Sequence, residues 1–409
     1  MNILLIGANF KNKGAEAMAL TAVRELAERH PEARFTVASY AAKESRPYGE
    51  HTETINERTC AFRLIKNRKD VSTFVRIIGS LIPSHALRRR IVAGNDYLTA
   101  LCEADIVIDL SGFALTDKRP LYRRVVFVSE ILTAKIFGKP FIVFTQALGP
   151  FDRPASKVLA KIGLPLTDLV CARGESTVAH LESIGLARTT KVIRCADSAY
   201  LFRPTPNDRP LTLKRADDPR PIIGIVPNTN VYERARVIAG ENSYSRLLAA
   251  TIDHATESLG ARVVFICHEH YEDRKDDRWL AGEAVRLARH GRAIEIISGE
   301  RSASELKTAI GEVDLLIASR FHSLVAANSL AVPSIAVAWA HKYHELFAEA
   351  GVPELVFDAT DLDAATFLPQ LDSAWARRAE IHRVLVAHHE PLMISARKAF
   401  DAVGEVLRG

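Results

Sequence analysis

Arg320 and His322 carry the strongest chemical signal in the chain. They directly follow the apolar run 315–318 and open the helix-forming run 323–330. Val332-Pro333 ends that helix, and a second apolar run follows at 334–337. A strand–helix–strand unit of this kind places its polar residues at the carboxyl edge of a parallel sheet, where open α/β sheets take their ligands. A guanidinium, an imidazole and a helix N-terminus so close together suit an anionic substrate and a proton transfer. The same residue types also serve as an ordinary ion-pair partner, for Asp314 for example, and as a simple helix cap. His268, in His268-Glu269-His270 after the strand 263–267, is a second candidate for proton transfer, with a solvated loop as the plainer alternative.

The rest of the chain alternates strands and helices that would hold these residues. An apolar strand at 3–8 leads through a loop, Asn9 to Gly14, into an Ala-rich helix at 15–30 that Pro31 ends. Gly7 and Gly14 do not form a dinucleotide fingerprint, and no G-K-[ST] follows, so NAD and ATP are not expected. Gly14 allows close backbone approach, and Glu16 lies in the first helical turn as a catalytic candidate or as a complement to the helix dipole. Strands at 104–110, 141–145, 169–172 and 192–194 deliver Ser111, Gln146, Arg173 and Asp197 to turns. Past a Pro- and Asp-rich stretch, strands at 222–226, 263–267, 294–297, 315–318, 334–337 and 355–357 repeat the alternation. Ser302 and Glu305 form a capping-box pattern.

This alternation predicts an α/β protein with two Rossmann-like domains facing a cleft. The expected divisions are an N-terminal domain at 1–205 on the acceptor side, with a helical insertion at about 41–100, and a linker at 206–221. A C-terminal domain at 222–363 on the donor side follows, then helices at 364–409 that cross back to the first domain.

Composition narrows the function. The chain has 409 residues, 48% hydrophobic and 25% charged, with a net charge of +5. This is an ordinary globular balance, suited to acidic small molecules and not to nucleic acid. Cys60, Cys102, Cys171, Cys195 and Cys267 lack metal-site spacing, so no metal is expected and the thiols read as free and reduced. No apolar run is long enough to span a membrane. The chain is therefore expected to be cytoplasmic, with peripheral membrane contact as an open possibility. Two basic runs, Arg88-Arg89-Arg90 and Lys118-Arg119 with Arg123-Arg124, read as solvated helix faces or as a patch for anionic lipid or a diphosphate-linked acceptor.

With its motifs assembled, the chain resembles the polysaccharide pyruvyl transferase family over most of its length outside 41–100. The resemblance rests on Asn12-Lys13-Gly14-Ala15-Glu16-Ala17-Met18, Gln146-Ala147-Leu148-Gly149-Pro150 and Arg173-Gly174-Glu175-Ser176. It also rests on Asp197-Ser198-Ala199-Tyr200-Leu201, with Ser198 in place of the family's proline, and above all on Arg320-Phe321-His322-Ser323 with Val332-Pro333 and Lys342. The resemblance implies a GT-B-like fold and transfer of the enolpyruvyl unit of phosphoenolpyruvate to a sugar, giving a pyruvate ketal and phosphate. It implies phosphoenolpyruvate binding by Arg173, Arg320 and His322. The chemistry of that transfer makes His322 the candidate acid or phosphate-binding cation, adds Lys342 to the phosphoenolpyruvate site as a further positive charge, and leaves His268 and Glu16 as further proton-transfer candidates. Gly14, Gln146 and Asp197 are placed on the cleft and acceptor side. Phosphoenolpyruvate is a co-substrate and no cofactor is implied. The acceptor is a nucleotide-linked, lipid-linked or polymeric sugar, and the oligomeric state stays open. The alternatives are a GT-B nucleotide-sugar glycosyltransferase or epimerase, and a catalytically silent partner in polysaccharide assembly.

Overall fold

The computed structural model describes residues 1–39, 52–56, 84–204, 210–238, 240–271, 275–360 and 363–408. Cys60, most of the expected insertion and positions 205–209 of the Pro-rich stretch lie outside the described residues. The described chain divides into two compact units. The first holds Met1–Phe10, Met18–Ser198 and Ile394–Gly409, and the second holds Lys11–Ala17 and Ala199–Met393.

The first unit is built on seven parallel strands: β1 (Asn2–Ala8), β2 (Arg34–Ser39), β3 (Thr52–Asn56), β4 (Ile106–Asp109), β5 (Phe141–Gln146), β6 (Leu169–Arg173) and β7 (Val192–Cys195). Their order in the sheet is β3-β2-β1-β4-β5-β6-β7. Within the expected helical insertion at about 41–100, the described residues include the strand β3. Thr52, Thr54 and Ile55 are β-branched, and the segment pairs in parallel with β2 from Phe35↔Thr52 onward. Helices at His85–Val92 and Asp96–Glu103 follow it. Central strands such as β4 and β5 are buried along their whole length, as parallel strands covered on both faces must be.

The second unit has β8 (Ile222–Val226), a short antiparallel pair β9 (Val237–Ile238) and β10 (Glu241–Asn242), then β11 (Arg262–Ile266), β12 (Glu295–Ile297), β13 (Leu315–Ala318), β14 (Ser334–Ala338) and β15 (Val356–Asp358). The main sheet runs β12-β11-β8-β13-β14-β15, all parallel. In each sheet the chain works outward from its first strand in one direction, then restarts on that strand's other side. The switch points fall between β1 and β4, and between β8 and β13, where doubly wound sheets open a ligand crevice.

The final helix, Arg378–Arg408, contains Pro391, and its residues from Ile394 onward belong to the first unit. There Phe400 packs edge-on against Phe144 with ring centroids 4.8 Å apart, and Ser395 Oγ accepts from Ala196 N at 3.0 Å.

The switch point of the second sheet depends on close packing at Gly224, whose Cα is paired with Leu316 across β8 and β13. A Cβ there would lie 3.0 Å from both Leu316 Cδ1 and Val313 Cγ1. Gly224→Val should therefore overpack the core and lower stability by about 1–3 kcal/mol, read as a lower denaturant midpoint. An unchanged midpoint would show that this layer has room.

Candidate active site

At the end of β13 the chain turns into the helix Phe321–Ser329, with Arg320 as its extended N-cap residue. Three groups fix this corner. Tyr343 Oη and Asn228 Nδ2 both donate to the Ser319 carbonyl at 2.8 Å, and the Tyr244 and Ser319 hydroxyls bond to each other. Arg320 is buried. Its Nε donates to Asp277 Oδ2 at 3.2 Å, its Nη2 to Asp277 Oδ1, and its Nη1 lies 2.8 Å from Glu269 Oε2. Burial alone would discourage its charge, but the two carboxylates outweigh that and hold its pKa above the ordinary arginine value.

Asp277 also organises the loop after β11. Its Oδ2 accepts from the backbone N–H groups of His268 and Glu269, both at 3.0 Å. Its neighbour Asp276 caps the helix Asp277–Leu287 through Trp279 N at 2.9 Å and accepts from Tyr271 N at 3.1 Å. The carboxylate that neutralises Arg320 therefore also places the His268 backbone.

The loop after β1 meets this cluster within the second unit. Asn12 Oδ1 caps the helix Lys13–Arg29 by accepting from Gly14 N and Ala15 N, and Asn12 Nδ2 donates to Glu269 Oε1 at 3.3 Å. Gly14 then lies against the His322 ring. A Cβ on Gly14 would fall 2.0 Å from His322 Nδ1, so only glycine admits the imidazole there. His322, His268, Lys13, Gly14 and Lys307 line one pocket, whose apolar wall includes Phe202 and Ile310. His268 Nε2 is buried and has no hydrogen-bond partner among the described residues. Burial first, then the charges of Arg320, His322 and Lys13, push the His268 pKa down from 6.5 to about 3. At neutral pH this imidazole is a neutral acceptor beside fixed cations.

Glu16 has both carboxylate oxygens engaged. Oε2 pairs with Lys13 Nζ at 2.8 Å, and Oε1 accepts from Ala303 N at 3.2 Å, beside the Ser302–Glu305 capping box. Lys342 opens the helix Lys342–Glu349, with its ammonium 4.6 Å from the centroid of the Phe321 ring. The first unit gathers the remaining expected residues at its own sheet edge. Arg173 pairs there with Asp197 and donates through Nη2 to the Gly112 carbonyl at 3.1 Å. Gln146 Nε2 donates to Asp109 Oδ1 at 3.0 Å, and burial pushes the Asp109 carboxyl up to about 6.

Sequence reasoning missed Lys13, Lys307, Asp277 and Asp109 as site-forming residues. Lys307 sits mid-helix, where a lysine ordinarily faces solvent, yet it is buried and donates to the Phe202 carbonyl at 2.6 Å. Asp276-Asp277 ahead of a helical run was a visible cap signal, but only Asp276 does the capping.

Arg320→Ala would strand Asp277 and Glu269, so the variant should lose about 3–5 kcal/mol of stability; a melting temperature equal to wild type would remove the ion triad from the account. His268 stays neutral in the folded protein down to about pH 3, whereas in the unfolded chain it takes up a proton below its ordinary value of 6.5. Acid therefore favours unfolding through this residue, and the stability it contributes at neutral pH is lost as pH falls. His268→Gln should lose less stability than wild type between pH 7 and pH 4, measured by parallel thermal melts. Equal losses would show that the imidazole protonates in place.

The family model for polysaccharide pyruvyl transferase matches residues 12–341. The amylovoran biosynthesis protein AmsJ of Erwinia amylovora is 22% identical over 295 residues, which is 71% of this chain and 70% of that protein. Similar solved structures include the S. aureus MnaA–UDP co-structure, with TM-score 0.61 and 13% identity over 100% of this chain and 97% of that one. The UDP-GlcNAc 2-epimerase from Neisseria meningitidis bound to UDP-GlcNAc has TM-score 0.57 and 10% identity over 99% and 100% of the two chains. Spinosyn rhamnosyltransferase SpnG has TM-score 0.52 and 12% identity over the full length of both. At such identities the likeness is one of fold, GT-B-like with two Rossmann-like sheets. The family match is of another kind, because it begins at the Asn12 cap and runs through the Asp277-bound Arg320 and the Gly14-packed His322. On that match the chain belongs to the polysaccharide pyruvyl transferase family.

Proposed function

We propose that this enzyme moves the enolpyruvyl unit of phosphoenolpyruvate onto two hydroxyls of a sugar in exopolysaccharide assembly, forming a cyclic pyruvate ketal and releasing phosphate. Family membership and the likeness to an amylovoran biosynthesis protein support the setting. The observation that carries the chemistry is the second-unit pocket. There a glycine admits one imidazole beside a second imidazole held neutral, with two lysines and an apolar wall around them.

The reaction needs a proton on the methylene carbon of phosphoenolpyruvate, which creates an oxocarbenium-like centre at the adjacent carbon for a hydroxyl to attack. The second hydroxyl replaces phosphate at the same carbon. Of the two hydroxyl protons, one balances the new methyl group and the other leaves with phosphate. In this reading His322 delivers the first proton and neutral His268 accepts one from a hydroxyl. Two imidazoles in one pocket can divide the acid and base roles between them. Lys13 and Lys307 favour the phosphate. Arg320 takes the carboxylate by exchanging Glu269, its more exposed partner, for substrate, while Asp277 keeps hold of its other edge.

Charge balance adds a constraint. Lys13 and Glu16 offset each other, and Arg320 and Lys307 are offset by Asp277 and Glu269. A multiply charged anion entering a site that is neutral overall favours protonation of His322. Calorimetry of phosphoenolpyruvate binding in buffers of different ionisation enthalpy should therefore show proton uptake in the wild type and none in His322→Gln. Gly14→Ala should displace the ring and cut ketal formation by about 100-fold while the protein stays folded. Binding without proton uptake, or full activity in Gly14→Ala, would defeat this assignment of His322. If phosphoenolpyruvate fails to bind and UDP binds in its place, the ketal reading falls to the nucleotide-sugar alternative.

A further inference from the structure

The first unit carries a surface that the chemistry above does not use. The helices Leu121–Ile136 and Pro154–Gly163 lie side by side. Arg124 bonds Ser156 near their starts, and Val128 and Ile131 close on Gly163 further along. The buried contact uses one face of the second helix and leaves its other face in water. On that outer face Val158 and Ile162 are 55% and 48% exposed, one turn apart, and Leu166 beyond them is 39% exposed. The start of the first helix adds Leu121 and Tyr122, 51% and 57% exposed. An apolar stripe turned outward at helical spacing is the reverse of the usual pattern, in which the stripe faces the core.

Charge identifies the occupant. Lys157 and Lys161 are exposed and one turn apart beside Val158 and Ile162, and Arg123 and Arg153 are exposed at the same end of the pair. Asp117 lies nearby, but its carboxylate is taken up by Asp152 N, Arg153 N and the Ser156 hydroxyl. A second copy of this face would set lysines against lysines. A short apolar stripe flanked by cations on long aliphatic stems instead fits the boundary between anionic headgroups and acyl chains. No described helix is long and apolar enough to cross a membrane, so this contact would be peripheral. We propose that the face formed by Val158, Ile162 and Leu166 with Lys157 and Lys161 docks the protein onto an anionic lipid bilayer. The expected patch at Lys118-Arg119 and Arg123-Arg124 is partly absorbed elsewhere, since Arg124 is buried against Ser156 and Asp117. Arg89 of the other basic run pairs with Glu103.

The test is vesicle flotation of the full chain without substrates, so that its outcome is independent of the ketal reading. Vesicles of phosphatidylcholine with phosphatidylglycerol should carry the protein at low salt and release it at about 0.5 M salt, and phosphatidylcholine alone should carry little. Val158→Glu with Ile162→Glu should weaken binding at least about tenfold. Lys157→Gln with Lys161→Gln, both at exposed positions, should weaken it by about 30-fold and serves as the second variant if the glutamates disturb the helix. Absence of flotation at low salt, or equal flotation of wild type and lysine variant, would overturn the proposal. So would self-association of the wild type that the glutamate pair abolishes with no vesicle binding in either, because the face would then be a protein interface.

Discussion

The second unit depends on a buried guanidinium shared between two carboxylates. Arg320 could not be buried alone, since an unpaired charge costs far more than the corner could supply. Asp277 and Glu269 solve this from two sides, and each does a second job. Asp277 draws in the backbone N–H groups of His268 and Glu269, and Glu269 accepts from Asn12 at the head of the helix Lys13–Arg29. One ion triad thus ties together the ends of β11 and β13 and the loop that carries Gly14. Such a cluster adds little net stability over an apolar replacement; its effect is geometric, because it fixes the backbone at His268 and the strand end that leads to His322.

The first unit repeats part of this logic. Arg173 stands at the end of β6 as Arg320 stands after β13, and it too is paired with a buried aspartate, Asp197. Around it the backbone is under strain. Thr145, β-branched, has a φ of +42°, and the register of β5 against β6 slips between Val143 and Gln146. The slip turns Gln146 onto Asp109, a carboxyl that burial favours in its protonated form. Asp109 Oδ2 and Gln146 Oε1 are both buried with no hydrogen-bond partner among the described residues. Strain and two buried oxygens without a partner among the described residues set this sheet edge apart from the satisfied triad of the second unit.

Much of this was legible in the sequence because parallel strands announce themselves. Runs such as Leu315–Ala318 and Ile222–Val226 are apolar throughout, since both faces are covered, and the polar residue that ends each run falls at the ligand edge. The edge strand β3 was harder to see because only part of it is buried and its alternation is polar. The helix Pro154–Gly163 was missed for a related reason: Val158 and Ile162 point outward, so the stripe that normally betrays a helix is not the one that packs. Arg320, His322 and His268 were conspicuous because polar types interrupt apolar runs there, and the structure brings both imidazoles to one pocket. The site was illegible at Lys307, whose burial depends on a carbonyl more than a hundred positions away in sequence.

The surroundings of Glu16 are more specific than its residue type. An acidic residue in a first helical turn beside a glycine reads as a base or as a dipole partner. In the structure it is neither exposed nor spare. One oxygen holds Lys13 and the other meets the first amide of the helix Ala303–Gly311, adding to the cap that Ser302 and Glu305 already supply. Lys13, the partner of one of those oxygens, is itself one of the charges that push the His268 pKa down. Glu16 is thereby linked to His268 through Lys13. The link is electrostatic: a change at Glu16 reaches the imidazole through the charge that Glu16 offsets.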